Sequence, residues 1–364
     1  MKNLRLRILD RYIMRKFILT FLGSIVMIVG IIIIFDISEH IDDFVSRQAP
    51  LKAIVLDFYL NLIPYYVNMF SPLFVFITVI IFTSRMAANS EFIAILSCGI
   101  SFRRLLLPYM LSALMIFALS LSLNHFVIPR ANVKRIQFEA KYIKDSDHNF
   151  NRNIHYQISP GEFAYVESFS NWNNTAYKFT LEKVDGNRLV SKISAESAVW
   201  DTVNCSWRLK KYFIREYSEG LEDKIRSGAQ LDTVINLTAD DFKRNKKTVT
   251  TLPRNDLNNL IQTQKLRGDA NVNQSLIEKH TRTALPFSAF ILTIMGVALS
   301  SRKKRGGIGV NIAVGIALAF TYILFLRFSE MFVYTGTLPP FVALWLPNLI
   351  YAAIAGALYR MAPK

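Results

Sequence analysis

The sequence predicts an α-helical membrane protein with six transmembrane helices and an inserted all-β, jelly-roll-like domain. Of its 364 residues, 52% are hydrophobic, too many for a soluble domain of that length. The apolar residues gather in six runs without Asp, Glu, Lys or Arg: Phe17–Phe35, Phe58–Ser84, Leu105–Ile128, Thr283–Ser301, Gly306–Leu326 and Pro340–Tyr359. Each is close to the roughly 20 residues that a helix rising 1.5 Å per residue needs to cross a bilayer. Between the third and fourth runs the composition changes to short β-branched and aromatic segments, which carry the β expectation.

In chain order, Met1–Lys16 reads as a basic amphipathic lead-in, with Leu4, Ile8, Tyr12 and Arg11, Arg15 at helical spacing. The first run is longer than the roughly 7–15 apolar residues of a signal peptide, and no small-residue cleavage site follows it. It is therefore read as a span. It leaves the membrane through Asp36, Glu39, Asp42 and Asp43, which fit either a solvated helix end or a mouth that meets a polar ligand. The second run contains Pro64 and Pro72, which predict a kink or a local opening.

Arg85–Leu107 is a short polar and amphipathic interruption between the second and third runs. Ser90-Glu91 and Gly99 mark the two ends of a short helix, and Arg85, Arg103 and Arg104 flank it. Phe92, Ile95 and Leu96 form an apolar stripe that suits a membrane surface or a partner's groove. Glu91, in the first turn, either complements the helix dipole or contacts a partner.

The long insert, roughly residues 130–279, contains strand-like runs at His155–Ile158, Phe163–Val166, Tyr177–Val184, Leu189–Trp200 and Trp207–Tyr217. Asp185-Gly186-Asn187 is a hairpin signal, and Tyr177, Phe179 and Leu181 alternate with Lys178, Thr180 and Glu182. Several strands without intervening helices predict a sandwich or jelly roll. Lys246–Asn273 reads as a helical return with Leu257, Leu260 and Ile261 as its apolar stripe. The expected organisation is residues 1–129 with spans one to three, 130–279 as the β-domain and return segment, and 280–364 with spans four to six. The fourth span ends in a tight basic loop at Ser300–Arg305, and the fifth carries Ala313, Gly315, Ala317 and Ala319, small enough for close helix packing.

The net charge of +16 does not mark a nucleic-acid binder. Residues 130–280 hold 24 basic and 19 acidic side chains, so most of the excess lies beside the spans. Lys2, Arg5, Arg7, Arg11, Arg15 and Lys16, then Arg85, Arg103 and Arg104, then Arg302–Arg305, Arg360 and Lys364 fall on one side. By the positive-inside rule that side is cytoplasmic, which places both termini there and the β-domain outside. Cys98 and Cys205 fall on opposite sides and read as ordinary thiols without a metal pattern.

No GxxxxGK[ST] phosphate loop, HExxH or GxSxG pattern occurs, so the chain is not expected to be an enzyme. Energy for work would come from a partner or an ion gradient. Arg327 and Glu330, spaced i,i+3 near the outer end of span five, are either an interfacial pair or intramembrane functional groups.

Several stretches together resemble the lipopolysaccharide export permeases LptF and LptG, the YjgP/YjgQ family. They are Leu9–Ile13 (LDRYI), Ser90–Ser101 (SEFIAILSCGIS), Pro286, Gly296–Arg302 (GVALSSR) and Gly336–Asn348 (GTLPPFVALWLPN). The resemblance spans essentially the whole chain, and the LDRYI start looks more like LptG. It implies one six-span half of an ABC exporter in the bacterial inner membrane, paired with a paralogous LptF-like permease. An LptB-like ATPase dimer would supply ATP hydrolysis, with no cofactor bound by this chain. Lipopolysaccharide would pass to the periplasmic β-jellyroll and on to a bridge beginning with an LptC-like protein.

The resemblance makes the segment between spans two and three the coupling helix. It assigns Glu91 the ATPase contact, with Phe92, Ile95, Leu96 and Arg85 beside it. LptG-type members place lysines near the outer end of span one, where they meet lipid A phosphates; here Ile33, Glu39 and His40 stand there. Phe35, Glu39, His40, Arg327 and Glu330 are the expected lipid-binding positions. Two rival readings are a gradient-driven lipid or drug carrier acting alone and an envelope anchor for the β-domain.

Overall fold

The computed structural model describes residues 7–143, 152–170, 172–217, 223–243, 246–269, 271–301 and 307–362. Leu4 of the lead-in, the basic run Arg302–Arg305 with Gly306, and Lys364 lie outside them. The chain divides into two compact units. One comprises Met1–Lys144, Thr250–Arg254 and Leu276–Lys364; the other comprises Asp145–Val249 and Asn255–Ser275.

In the first unit, α1 (Ile8–Ser46) is one unbroken helix of 39 residues. Its apolar run is flanked by polar turns that remain helical, so the helix far outlasts the charge-free stretch. A short turn, α2 (Leu51–Ala53), leads through a π-helical segment, Ile54–Tyr59, into α3 (Leu60–Met69). The second apolar run, expected as one span, is thus two helices. It breaks at Phe70, and Pro72 opens α4 (Ser71–Ala88), where its missing N–H costs nothing. The Asn61 side-chain amide donates to the carbonyls of Leu56 and Asp57, each at 2.9 Å, supplying the π segment with donors.

Next come α5 (Glu91–Ser97) and α6 (Phe102–Ser122), which passes through a second π segment, Leu123–Val127, into α7 (Ile128–Tyr142). The helix therefore continues past residue 129, where the apolar run ends, and the membrane unit reaches Lys144. Among the described residues, six helices are long and apolar enough to cross a membrane: Ile8–Ser46, Ser71–Ala88, Phe102–Tyr142, Val272–Ser300, Gly309–Tyr334 and Pro340–Met361.

The apolar window of α4 is 72% buried and that of Val272–Ser300 is 67% buried, against 17% for α1. The first two therefore form the middle of the unit, and α1 lies at its periphery. Phe74, Val75, Val79 and Phe82 of α4 join Ile13, Phe17 and Phe21 of α1 and Leu105, Tyr109 and Ile116 of α6 in one core. A polar relay also links the spans. The Asn68 amide donates to the Asn124 oxygen at 2.7 Å, the Ser120 hydroxyl donates to the Asn68 oxygen at 2.6 Å, and the Asn124 amide donates to the Arg282 carbonyl. Asn68→Leu removes the hub of this relay and strands two buried partners. It is expected to cost about 1 kcal/mol, read as a lower thermal midpoint of the purified chain.

The second unit is a six-stranded antiparallel sheet whose order follows the chain: β1 (Arg152–Ser159), β2 (Glu162–Ser170), β3 (Thr175–Asp185), β4 (Arg188–Asp201), β5 (Ser206–Glu216) and β6 (Lys224–Thr233). The all-β insert is present, and its strands run as a meander. Gly186-Asn187 forms the expected two-residue hairpin between Asp185 and Arg188, with Gly186 at φ +57°. Trp207, Phe179, Phe169 and Leu209 pack on one face with Leu237 and Phe242, and the Trp207 indole N–H donates to the Leu237 carbonyl at 2.6 Å.

Lys178 and Lys211 sit mid-strand with left-handed φ of +49° and +48°. There the inward-facing parity switches: Ala176 and Phe179 are both buried, and Leu209 and Tyr212 both face the core. Tyr177 is therefore turned outward, 40% exposed, instead of sharing a face with Phe179 and Leu181. Lys178–Glu167 at 2.5 Å and Lys211–Glu196 at 2.6 Å pair along this line.

The chain then forms α8 (Ala239–Lys243), α9 (Lys246–Val249) and α10 (Arg254–Leu266), where Leu257, Leu260 and Ile261 are buried as their spacing predicts. The last helices are α11 (Val272–Ser300), α12 (Gly307–Tyr334) and α13 (Pro340–Met361). Asn311, Gly315, Ala319 and Tyr322 form the buried seam of α12, whereas Ala313 and Ala317 face outward. Tyr322 donates to Asn348 of α13 at 2.7 Å, and Asn348 donates to the Ala284 carbonyl of α11 at 2.8 Å.

Candidate functional site at the short helix between spans two and three

The chain leaves α4 through Asn89 and Ser90, and Ser90 takes a left-handed conformation at φ +62° to turn into α5. Its side chain makes no cap bond, so Ser90 starts the helix through its backbone. Cys98 closes α5 and Gly99, at φ +77°, reverses the chain, a conformation that glycine adopts without a Cβ clash. Ser101 caps α6 by accepting the Arg104 N–H at 3.3 Å.

Glu91 is half-buried at the start of α5. Its carboxylate accepts from the Tyr12 hydroxyl of α1 at 3.1 Å and from the Asn89 amide at 3.2 Å. Lys16, one turn further along α1, donates to the Tyr12 hydroxyl, so a cation, a phenol and a carboxylate stand in line. Just past the end of α5, Arg104 grips Asp10 with two parallel bonds of 2.7 and 2.6 Å. Asp10 is 1% exposed and also accepts the Arg7 N–H at 2.8 Å. Such a bidentate pair is the strong, geometrically exacting form of an ion pair.

The apolar stripe of α5 faces inward. Phe92 is fully buried against Phe102, which in turn meets Tyr359, and Ile95 and Leu96 pack on the same core. The surface that α5 presents is instead made by Ile93, half exposed, with Ala94 and Ser97. Arg85 is exposed on the last turn of α4. An amphipathic helix must bury its stripe somewhere, and here its own bundle receives it.

The other candidate residues do not converge on this place or on one another. At the far end of α1, Phe35 (71% exposed) and Glu39 share an outward face. His40 turns inward: its Nδ1 lies 3.0 Å from the Asp36 carbonyl and 3.6 Å from the Asp36 carboxylate, and its ring stacks on Phe44. Ile33 borders an apolar groove of about 670 Å³ that is also lined by Ile37, Ile41, Leu51, Val55 and Leu60. Arg327 and Glu330 form a 2.9 Å pair, and Arg327 also reaches the Met69 sulfur. Among the described residues, no hydrogen bond or ion pair joins them to Glu39 or His40. Asp10, Tyr12, Lys16 and Arg104 were not singled out as site residues; the sequence marked Asp10 and Tyr12 only within the lead-in and LDRYI, and Arg104 only as a flanking charge.

Among the described residues, six apolar helices, an inserted antiparallel β-domain and a short helix between the second and third spans fit the class of multi-pass membrane proteins. The family model for the lipopolysaccharide export system permease LptF/LptG matches residues 11–361, nearly the whole chain. The chain belongs to this family of transport permeases. No curated protein matches it.

Proposed function

We propose that this chain is the LptG-like permease subunit of an ABC exporter that lifts lipopolysaccharide out of the inner membrane and hands it to a periplasmic bridge. Family membership supports the cargo. The observation that carries the mechanism is α5. This rigid seven-residue helix is keyed into the bundle by Phe92, and its acidic start is held in place by Tyr12. Force applied there reaches α4 and α6 through buried contacts.

In this reading α5 faces the cytoplasm with both termini, and the β-domain faces the periplasm. A partner ATPase bears on Glu91, Ile93 and Arg85, while Phe92, Ile95 and Leu96 transmit the load from within. A paralogous permease covers part of the bare apolar face of α1, and an LptC-like protein docks on the β-domain. Phe35 and Glu39 are the residues of span one best placed to meet the lipid, since His40 is engaged by Asp36; in span five, Arg327 is engaged by Glu330.

Glu91→Arg tests the reading. Like charge brought against the arginine-flanked site is expected to lower ATPase co-purification and lipopolysaccharide release by about tenfold or more. Glu91 is half-exposed, so the substitution empties no core. Unchanged association and release would sink the coupling role, and transport by a chain purified without any ATPase would make it a gradient-driven carrier instead.

A further inference from the structure

The contacts at the beginning of α1 straddle the coupling segment. Tyr12 holds Glu91 at the start of α5, and Asp10 holds Arg104 three residues after Ser101, just past its end. Residues two apart on a helix point about 200° from each other at roughly 100° per residue, so these two bonds leave α1 on opposite sides. The start of α1 is therefore gripped between the two ends of the segment. Between the grips, Ile13 and Phe17, both fully buried, share a core with Phe92.

Arg104 adds a second indication. It occupies the first turn of α6, where a cation opposes the helix dipole, yet it is fixed there by an acid in the first turn of α1, where the dipole favours one. Arg104 thus sits where its partner gives it a reason to be, while Asp10 is also favoured by the start of its own helix. From this anchored start, α1 runs 39 residues without a break, roughly 58 Å at 1.5 Å per residue. Along the way it is the least buried of the spans. Its outer end is held too, where Tyr59 donates to Asp36 at 2.9 Å and Phe44 is buried with Phe58 and Phe138, so a displacement of its start is carried along one unbroken helix.

We infer that Asp10, Tyr12 and Arg104 are positioning residues that lock span one to the coupling helix, so that the partner's stroke moves span one directly. This rests on the coupling reading of Glu91. Lys16 supports the phenol, which fixes the Glu91 carboxylate toward the partner. Asp10 and Arg104 keep the far end of the segment from sliding along α1. The stroke then passes along α1 toward its outer end, where Phe35 and Glu39 lie.

The test uses the assembled exporter in proteoliposomes, with lipopolysaccharide released per ATP hydrolysed as the readout, a ratio that simple loss of folded protein does not change. Tyr12→Phe removes only the hydroxyl, and Asp10→Asn keeps the shape while removing the charge. Each is expected to lower the ratio by about threefold or more, the scale of one lost charge-assisted bond. Tyr12→Phe combined with Glu91→Gln is expected to be no worse than Glu91→Gln alone, because Tyr12 acts through Glu91.

An unchanged ratio in Tyr12→Phe beside a lowered one in Glu91→Gln overturns the lock and leaves the coupling reading standing. Unchanged ratios in both sink the coupling reading. Additive losses, or a loss in Tyr12→Phe alone, show that Tyr12 does not work through Glu91 and also overturn the lock. Should Asp10→Asn fail to assemble, Tyr12→Phe decides alone, since Tyr12 is 38% exposed and its ring is retained.

Discussion

Trp207→Ala is expected to unfold the β-domain while the six spans remain assembled. Trp207 is the largest side chain that the chain buries completely, packed against Phe179, Trp200 and Phe242 with centroids 5.2 to 6.4 Å away. Truncating a buried aromatic to alanine costs about 3–5 kcal/mol, a large part of the 5–15 kcal/mol that holds a domain together. The loss also strands the Leu237 carbonyl, which takes the indole proton at 2.6 Å. Limited proteolysis of the full chain in detergent reads the outcome. Cleavage across residues 152–233 should accelerate at least tenfold while the helical fragments persist. Trp207→Phe keeps an aromatic ring in the pocket but loses half of the indole and its hydrogen bond, about 1–3 kcal/mol, so it should lie between wild type and Trp207→Ala. Equal protection of Trp207→Ala and wild type would show that the sheet's stability lies elsewhere.

The sequence disclosed what depends on composition and hid what depends on facing. Six charge-free runs marked the apolar helices, and Pro72 marked the break in the second. Where the helices end was not legible, because α1 and α7 carry their polar residues in turns that stay helical. Five strands announced themselves by β-branched and aromatic runs. The sixth, Lys224–Thr233, is an edge strand exposed on most of its length, and its residues KIRSGAQLDT carry no apolar alternation. Tyr177 was misplaced because alternation assumes a regular strand, and Lys178 reverses the facing through a left-handed φ that no propensity reveals.

The short helix illustrates the same division. Ser90, Glu91 and Gly99 bounded it correctly, since turn chemistry is local. The stripe of Phe92, Ile95 and Leu96 was also real, but periodicity states only that a face is apolar and never which body it meets. It meets its own bundle, and the outward surface falls to Ile93, Ala94 and Ser97. The grips at Tyr12 and Asp10 join residues 79 and 94 positions apart, a separation at which spacing carries no signal. The helix is therefore braced by its own bundle, with its one carboxylate oriented by a tyrosine from another span.

Gly296→Leu is expected to have the largest effect in the membrane unit, and the reason lies in which atoms surround the glycine. A Cβ at Gly296 would stand 2.8 Å from Cγ1 and 3.1 Å from Cβ of Val79, and 3.2 Å from the Phe76 ring. Val79 is branched at Cβ and stiff at χ1, so it cannot swing aside, and α11 and α4 would have to separate in the most buried part of the unit. Overpacking of this kind costs about 3 kcal/mol or more when the backbone must shift. Gly315, on the buried seam of α12, is the informative contrast. A Cβ there would come closer still, to 2.1 Å, but the atom it meets is the terminal Cδ1 of Ile80, which can rotate away. Gly315→Ala should therefore cost about 1 kcal/mol, less than Gly296→Ala at the nominally roomier site. Thermal unfolding of the detergent-purified chains should give the order Gly315→Ala, Gly296→Ala, Gly296→Leu in decreasing midpoint. Adding Val79→Ala should recover most of the Gly296→Ala loss, since it removes the atom that blocks the new methyl group. A Gly315→Ala variant less stable than Gly296→Ala, or no recovery with Val79→Ala, would mean that stiffness of the neighbour does not set the cost.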